Sequence, residues 1–128
     1  MILLLFFVTE NNLYIIEIKT LKDAKREIRK IGSDLQSIDI MAPKTILKVI
    51  KMENVILQDA IIIKQDMLSI GGEVAVPKNT FKLHSKTGDI LIIGTLKQLT
   101  DLIVKLNRHY SRLKNLAKKI EIVLKGVK

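Results

Sequence analysis

Three stretches of the chain place hydrophobic residues at the spacing of one helix face. The first, "TLKDAKREIRKIG" (20–32), has Thr20 and Asp23 as a cap pair and Gly32 as a stop. The second begins at Thr95, which has the capping-box spacing to Gln98, and the third is the C-terminal segment. The hydrophobic positions are Leu21, Ala24, Ile28 and Ile31; then Leu96, Leu99, Ile103 and Leu106; then Leu113, Leu116, Ala117, Ile120 and Leu124. We therefore predict three amphipathic helices.

The remaining segments are shorter and richer in β-branched residues. We predict strands at residues 2–8, 13–18, 37–41, 73–77, 80–83 and 89–94. A helix is predicted to start at Pro43 and run through Ile46, Leu47 and Ile50, and another to cover 55–70 and end at Gly71-Gly72. Because strands alternate with helices, we predict one α/β domain over residues 1–128. Its sheet is expected to be mainly parallel or mixed, with four to five strands covered by helices and an antiparallel edge from residues 73–94.

Composition narrows the class of protein. The chain has 48% hydrophobic and 27% charged residues and no cysteine, which excludes disulfides and thiolate chemistry and favours a cytoplasmic protein. Its richness in Ile and Lys is typical of thermophile proteins, with the base composition of the genome as the alternative explanation. The apolar run at residues 2–8 lacks the flanks of a signal peptide and is far shorter than the ~20 residues that cross a bilayer. We therefore expect no membrane association. We also expect a homo-oligomer, because a small domain would leave this apolar run exposed to solvent.

The net charge of +9 is concentrated at the C-terminal end. Residues 105–128 contain eight basic residues and one acid, hence +7, which leaves +2 for the other 104 residues. The candidate basic surface is formed by Lys105, Arg108, Arg112, Lys114, Lys118 and Lys119. Such a cluster attracts nucleic acid or acidic partners, although it is also the usual solvated side of an amphipathic helix. With only five aromatic residues in the chain, a stacking platform is not indicated, and we expect weak, non-specific nucleic-acid binding at most.

A candidate anion site lies in "GDILIIGTLKQL" (88–99). A buried strand that ends at Gly94 and Thr95 places backbone N–H groups at a helix start, where an anion can bind, while Thr95 as a simple N-cap is the alternative. Together with nearby lysines and the glycine pair, the candidate ligand residues are Lys44, Lys64, Gly71, Gly72, Lys78, Gly94, Thr95 and Lys97. The glycine pair fits neither nucleotide-loop motif and is explained as a helix stop.

No catalytic or metal-binding pattern is evident in the sequence. The two histidines, His84 and His109, lie 25 residues apart without cysteine, and no serine lies in a nucleophile elbow. We predict no catalytic residue, no metal and no cofactor.

The stretches "IMAPK" (40–44), "KQDMLSIGGEVAVPK" (64–78) and "GDILIIGTLKQLTDLIVKL" (88–106) resemble, in order and spacing, the segment that precedes the catalytic barrel in longer dihydropteroate synthases. The resemblance covers about residues 13–124 and leaves residues 1–12 outside. In that family the barrel joins a pterin pyrophosphate to p-aminobenzoate and holds the catalytic residues, so none of them carries over.

The resemblance implies a stand-alone, non-catalytic accessory domain related to pterin and folate metabolism. It would act through a protein partner, such as a pterin-pathway enzyme in trans, through self-association, or through a small anionic ligand. The alternative is a basic nucleic-acid-binding protein that uses the helix within residues 105–128.

Overall fold

The computed structural model describes residues 9–78, 80 and 86–126. In chain order its elements are β1 (Thr9–Glu10), β2 (Leu13–Tyr14), α1 (Leu21–Ile31), α2 (Leu35–Met41), a 3-10 turn (Ala42–Lys44), β3 (Leu47–Ile56), α3 (Leu57–Ser69), β4 (Glu73–Ala75), β5 (Thr87–Thr95), α4 (Leu96–Leu106) and α5 (Ser111–Lys125). The strand predicted at 2–8 lies outside the described residues, as does all but Thr80 of the one predicted at 80–83.

The main sheet has three antiparallel strands in the order β3-β5-β4, and β1 pairs with β2 in a separate antiparallel ribbon. The prediction of a mainly parallel or mixed sheet of four to five strands is therefore wrong. β3 and β4 do run in the same direction and α3 joins them, but β5 lies between them and pairs with both. This arrangement is a split β-α-β unit. The antiparallel pairing predicted within residues 73–94 is confirmed by the β4–β5 pair.

Three segments before residue 57 differ from their predicted structure. Residues 35–41 form α2 and not a strand, because Ile38 and Ala42, four residues apart, are buried together on one helical side. The helix predicted from Pro43 is wrong, since Pro43 lies in the 3-10 turn and the chain then enters β3. Of the strand predicted at 13–18, only Leu13–Tyr14 is paired.

The helices predicted from periodicity are confirmed. In α1 the Thr20 hydroxyl accepts a hydrogen bond from the N–H of Asp23 at 3.1 Å, and Gly32 ends the helix with φ 87°. Both hydrogen bonds of the capping box predicted for α4 are present. The segment predicted as a helix at 55–70 is helical from Leu57 to Ser69, its first two residues belonging to β3. Local capping signals thus located helix ends well.

The helices cover one face of the sheet. α3 and α4 contact the strands, and α5 packs on α4. Val74 of β4 and Ile90 and Ile92 of β5 point into this layer with at most 1% of their surface exposed. α1 and α2 pack against each other and the 3-10 turn, which in turn contacts α4. The hydrophobic core therefore lies between the sheet and α3, α4 and α5.

Candidate functional site

Two of the three glycines of the candidate ligand site, Gly72 and Gly94, pack against the side chain of Met67. A Cβ added to Gly72 would lie 2.4 Å from Met67 Cε, and one added to Gly94 would lie 2.3 Å from the same atom. Gly71 adopts φ 89°, which only glycine adopts without strain, and its N–H bonds the Leu68 carbonyl at 3.1 Å. Two of these glycines therefore make room for a fully buried methionine, and the third turns the chain out of α3.

Most N–H groups at the start of α4 already have partners within the chain. The N–H of Thr95 donates to Gln98 Oε1 at 3.0 Å, and the N–H of Gln98 donates to the Thr95 hydroxyl at 3.1 Å. The N–H of Leu96 bonds the carbonyl of Ile46 at 2.9 Å. Gln98 also donates from Nε2 to the Ile70 carbonyl at 3.3 Å, which ties α4 to the glycine turn. The anion site remains a prediction, and of the first N–H groups of α4 only that of Lys97 is left for it.

The four candidate lysines do not share one environment. Lys64 donates to Glu73 Oε1 at 3.1 Å and to the Val74 carbonyl at 2.7 Å. Lys97 pairs with Asp101 at 2.9 Å along α4, while Lys44 and Lys78 are exposed. The N–H of Val74 and the ammonium of Lys64 hold the pKa of Glu73 below its ordinary value. Two of the four charges are therefore neutralised by separate carboxylates.

An ion pair between a buried aspartate and a half-exposed arginine joins α3 to α5, and the sequence did not reveal it. Asp59 has only 2% of its surface exposed and accepts two hydrogen bonds from Arg112, both at 3.0 Å, and one from the hydroxyl of Tyr110. The Arg112 guanidinium lies over the Tyr110 ring, 4.8 Å from its centroid. We call these three residues the Asp59 cluster. Its one sequence signal is an aspartate in the apolar first turns of α3.

The protonation of the Asp59 cluster follows from these contacts. Burial by itself raises the pKa of Asp59, but the hydrogen bonds from Arg112 and Tyr110 outweigh it, and the pKa lies below its ordinary value. The bond to Asp59 raises the pKa of Tyr110. Two turns further along α3, Asp66 Oδ2 lies 2.9 Å from His109 Nε2. α3 thus carries acids that hold the connection between α4 and α5 in place.

The candidate basic surface is smaller than its sequence suggests. Arg112 belongs to the Asp59 cluster, because its guanidinium donates two hydrogen bonds to Asp59 while its side chain stays 49% exposed. Within the described residues the other five members form no ion pair, and all except the half-buried Lys105 are exposed: Lys105, Arg108, Lys114, Lys118 and Lys119. A positively charged surface therefore remains along α5.

The face of the sheet opposite the helices carries exposed aliphatic side chains. We call the surface formed by Leu47, Val49, Ala75, Leu91 and Ile93 the open face. Val49 pairs with Ile93 and Ala75 with Leu91, so the side chains lie side by side across the three strands. Leu47 is 62% exposed, Val49 55% and Leu91 37%, so no described element covers them.

Both positively and negatively charged residues surround the open face. Lys51 pairs with Leu91 in the ladder, and Glu73 pairs with Ile93. At one end a β-bulge in β3 directs the N–H of Asn54, which has φ 54°, to Asp89 Oδ1 at 3.0 Å. A hollow of about 260 Å³ lies there, beside Lys51, Pro77 and Asp89. An apolar centre with a polar rim is the usual anatomy of a protein-binding surface.

Metal binding and membrane insertion find no support in the described part of the chain. Its His, Asp and Glu residues form no group of three that could hold a metal ion, and His84 lies outside it. Within the same residues, no helix is both long enough and apolar enough to cross a bilayer. Cytoplasmic location, a single domain and the absence of a cofactor remain predictions.

Comparison with known proteins relates the chain to an enzyme of the folate pathway. No protein-family model matches the sequence, and no solved structure matches the chain. The chain is 32% identical over 104 residues to the bifunctional dihydropteroate synthase/dihydropteroate reductase of Helicobacter pylori. The match covers 81% of this chain and 27% of that protein, so the chain spans about a quarter of the length of this relative. It is thus related to a segment of a folate-pathway enzyme.

Proposed function

We propose that this chain is a non-catalytic binding module of pterin and folate metabolism that docks through its open face on a folate-pathway enzyme in trans. The observation that carries the proposal is the match to 27% of a longer folate-pathway protein. In that relative the matched segment is covalently joined to nearly three quarters of further chain. A folate-pathway enzyme that contains the counterpart of this remainder is therefore the partner we expect.

The open face supports docking on a protein better than docking on nucleic acid. Its centre is aliphatic, and its rim carries Lys51 together with the acids Glu73 and Asp89. Lys64 neutralises Glu73, so the rim is close to balanced although the chain carries +9. Burial of apolar area stabilises such a complex by about 25 cal/mol per Å² before the costs of association.

A second candidate function comes from the relative's name, which includes a reductase. Reduction of dihydropteroate requires a two-electron donor, such as a reduced nicotinamide or flavin. Under this alternative the present chain would contribute to that reductase activity rather than to the synthase. It is tested on the same purified protein.

A basic nucleic-acid-binding protein is the remaining alternative. The observation in its favour is the charge along α5, where Lys114, Lys118 and Lys119 are exposed and form no ion pair within the described chain. The homo-oligomer expected from residues 2–8 rests on a segment outside that part, and it stays a prediction.

The docking proposal is tested by affinity capture with two matched variants. Three tagged proteins are incubated with an extract of the source cells: the wild-type chain and its Val49→Glu and Val104→Glu variants. The proteins that bind to each are identified by mass spectrometry. Val49 on the open face and Val104 on α4 are 55% and 51% exposed, so the charge is introduced at similarly exposed valines. We expect a folate-pathway enzyme to be retained by wild type and Val104→Glu and lost with Val49→Glu. Equal capture by both variants, or no such enzyme, contradicts the proposal.

The enzymatic alternatives are tested by direct assay. The pure chain is incubated with pterin pyrophosphate and p-aminobenzoate, and separately with dihydropteroate and reduced nicotinamide or reduced flavin. We expect no product in either mixture. Dihydropteroate synthesis or reduction that co-purifies with the chain overturns the non-catalytic assignment, and reduction favours the second candidate.

A further inference from the structure

The two outer edges of the main sheet differ in whether their backbone groups have partners. On β4, the N–H of Val74 donates to Glu73 Oε1 at 2.9 Å, and the carbonyl of Val74 accepts from Lys64 Nζ at 2.7 Å. Side chains of the same chain therefore already occupy the backbone groups that β4 would offer to a further strand. The β4 edge is closed.

The β3 edge has outward backbone groups without a partner. In an antiparallel pair, successive residues point their N–H and C=O alternately toward the neighbouring strand and away from it. The carbonyl of Ile46 accepts from the N–H of Leu96 at 2.9 Å, so the even-numbered residues of β3 face β5 up to the bulge. Leu47, Val49 and Lys51 therefore face outward, and within the described chain their N–H and C=O groups form no hydrogen bond.

This free stretch of the β3 edge is short and continuous with the open face. It ends at the bulge, where the N–H of Asn54 turns inward to Asp89. Leu47 is 62% exposed and Val49 55%, and both side chains belong to the open face. A strand added here would gain main-chain hydrogen bonds and apolar side-chain contacts together.

We propose that β3 pairs with β3 of a second copy of this chain, across a two-fold axis at Val49. In this antiparallel register Val49 lies opposite Val49 of the second copy, and Leu47 lies opposite its Lys51. Every outward residue then meets an outward residue, and each such pair exchanges two main-chain hydrogen bonds. A register shifted by two residues in either direction leaves one outward residue of each chain without such a partner.

The charges along β3 favour the same register. Lys51 lies opposite an aliphatic side chain, and on the helical side Lys48 lies opposite Ile50 of the second copy. A register shifted by four residues would place the two Lys51 side chains opposite each other, and like charges in that position are destabilising. The β3 edge is therefore complementary to itself in one register.

The closed β4 edge limits the assembly to two copies. Pairing through β3 uses the one edge that offers unpaired groups among the described strands of the main sheet, so no edge is left for a third copy. The contact is isologous, as in most protein dimers. Because the two-fold axis is perpendicular to the sheet, the open faces of both copies lie on the same side.

The experiment is sedimentation of the purified chain from about 10 μM to 1 mM, with two variants. Val49→Pro removes an outward N–H and keeps the bonds between β3 and β5. Leu91→Glu is the control, because it places a charge on the open face without changing the β3 edge. We expect wild type and Leu91→Glu to reach the mass of a dimer, and Val49→Pro to dimerise at least tenfold more weakly. Circular dichroism checks that both variants are folded.

Single cysteines test the register, since the chain has none of its own. Val49→Cys should be joined to a second copy by a short thiol cross-linker, because Cβ atoms directly opposite each other lie about 4.5–5.5 Å apart. Leu47→Cys is the matched control. It is similarly exposed, but in this register it lies roughly 13 Å along the strand from its own counterpart, so the same cross-linker should not join it.

Three results would overturn the proposal. The first is a monomer over the whole concentration range, and the second is a dimer that Val49→Pro leaves unchanged. The third is cross-linking of Val49→Cys that is absent or no more efficient than that of Leu47→Cys, and it applies even if the proline variant does not fold. These measurements contain only the pure chain, so they can succeed or fail without regard to the capture of a folate-pathway enzyme.

Discussion

The two faces of the central sheet differ in what covers them, and two neighbouring residues of β5 show the difference. Ile92 is fully buried under the helices, whereas Leu91 is 37% exposed on the open face. Both are large aliphatic residues in "DILIIG", a run that the sequence alone interprets as a strand buried on both sides. An apolar run therefore indicates that both faces of a strand favour burial. It does not indicate that described elements of the same chain pack on both faces. On the open face the described residues leave these aliphatic side chains exposed, which is the observation behind the proposed docking.

The largest effect is expected from truncating the covered face. Ile92→Ala removes a fully buried side chain and should lower the free energy of unfolding by about 2–5 kcal/mol. Leu91→Ala should cost about 1 kcal/mol or less, because part of its side chain is already in water. Urea unfolding followed by circular dichroism measures both. Equal losses would show that the open face is covered in solution.

A smaller loss of stability than that of Ile92→Ala is expected from adding a methyl group where the covered face is already tightly packed. Gly94→Ala places a methyl group against Met67 and should cost about 1–3 kcal/mol. Combined with Met67→Ala, its cost should fall, and a double-mutant cycle measures this coupling. Gly126→Ala is the control, since its Cβ would meet only an ordinary contact at 3.5 Å. Additive losses in the double variant would contradict the shared-space explanation.

The helical side of the sheet also holds the charged side chain of Asp59, and the contribution of Asp59 to the free energy of unfolding should depend on pH. Since the folded pKa of Asp59 is depressed, its stabilisation is present above the unfolded value of about 3.9 and is lost as the pH falls through the folded pKa. Asp59→Asn should therefore be less stable than wild type at neutral pH, with a gap that narrows in acid. The gap should be smaller than the Gly94→Ala loss, because Arg112 is half-exposed and water screens the pair.

Urea unfolding at neutral and acidic pH measures the gap. Asp34→Asn is the control, because Asp34 is exposed and caps α2 without a side-chain hydrogen bond. A gap for Asp59→Asn that is constant with pH would contradict a structural role for the ionised carboxylate.

The smallest effect on stability is expected on the basic surface. Changing Lys114, Lys118 and Lys119 together to Ala should alter the free energy of unfolding by no more than about 0.5 kcal/mol per site, because all three are exposed. We expect the wild-type chain to bind a mixed-sequence DNA duplex weakly at low salt, and the same variant should lose this binding. Wild-type binding should disappear by ~200 mM salt, since it depends on counterion release. Tight binding that survives this salt would favour the nucleic-acid alternative over the open face.

Helix ends were predictable because their signals are local. The hydroxyl of Thr20, the capping box of Thr95 and Gln98, and the positive φ of Gly32 each act within a few residues. The candidate site was predictable only in part. Gly72 and Gly94 do lie together, but their common neighbour, Met67, is revealed only by packing. Arg112 was assigned to the basic surface because the sequence does not show that Asp59, 53 residues away, is its partner.

The amino-acid sequence alone was enough to predict the amphipathic helices α1, α4 and α5 and the turn at the glycine pair, because each depends on spacing within a short stretch. It also revealed the relationship to a folate-pathway enzyme, because that similarity extends over 104 residues. Strand direction, and which face of the strands stays uncovered by described elements, became evident from the fold alone. β5 could lie beside β4 alone or between β3 and β4, and the second arrangement makes every pair antiparallel. Pairing depends on residues some 40 positions apart, such as Val49 and Ile93, and no local propensity encodes such a partner.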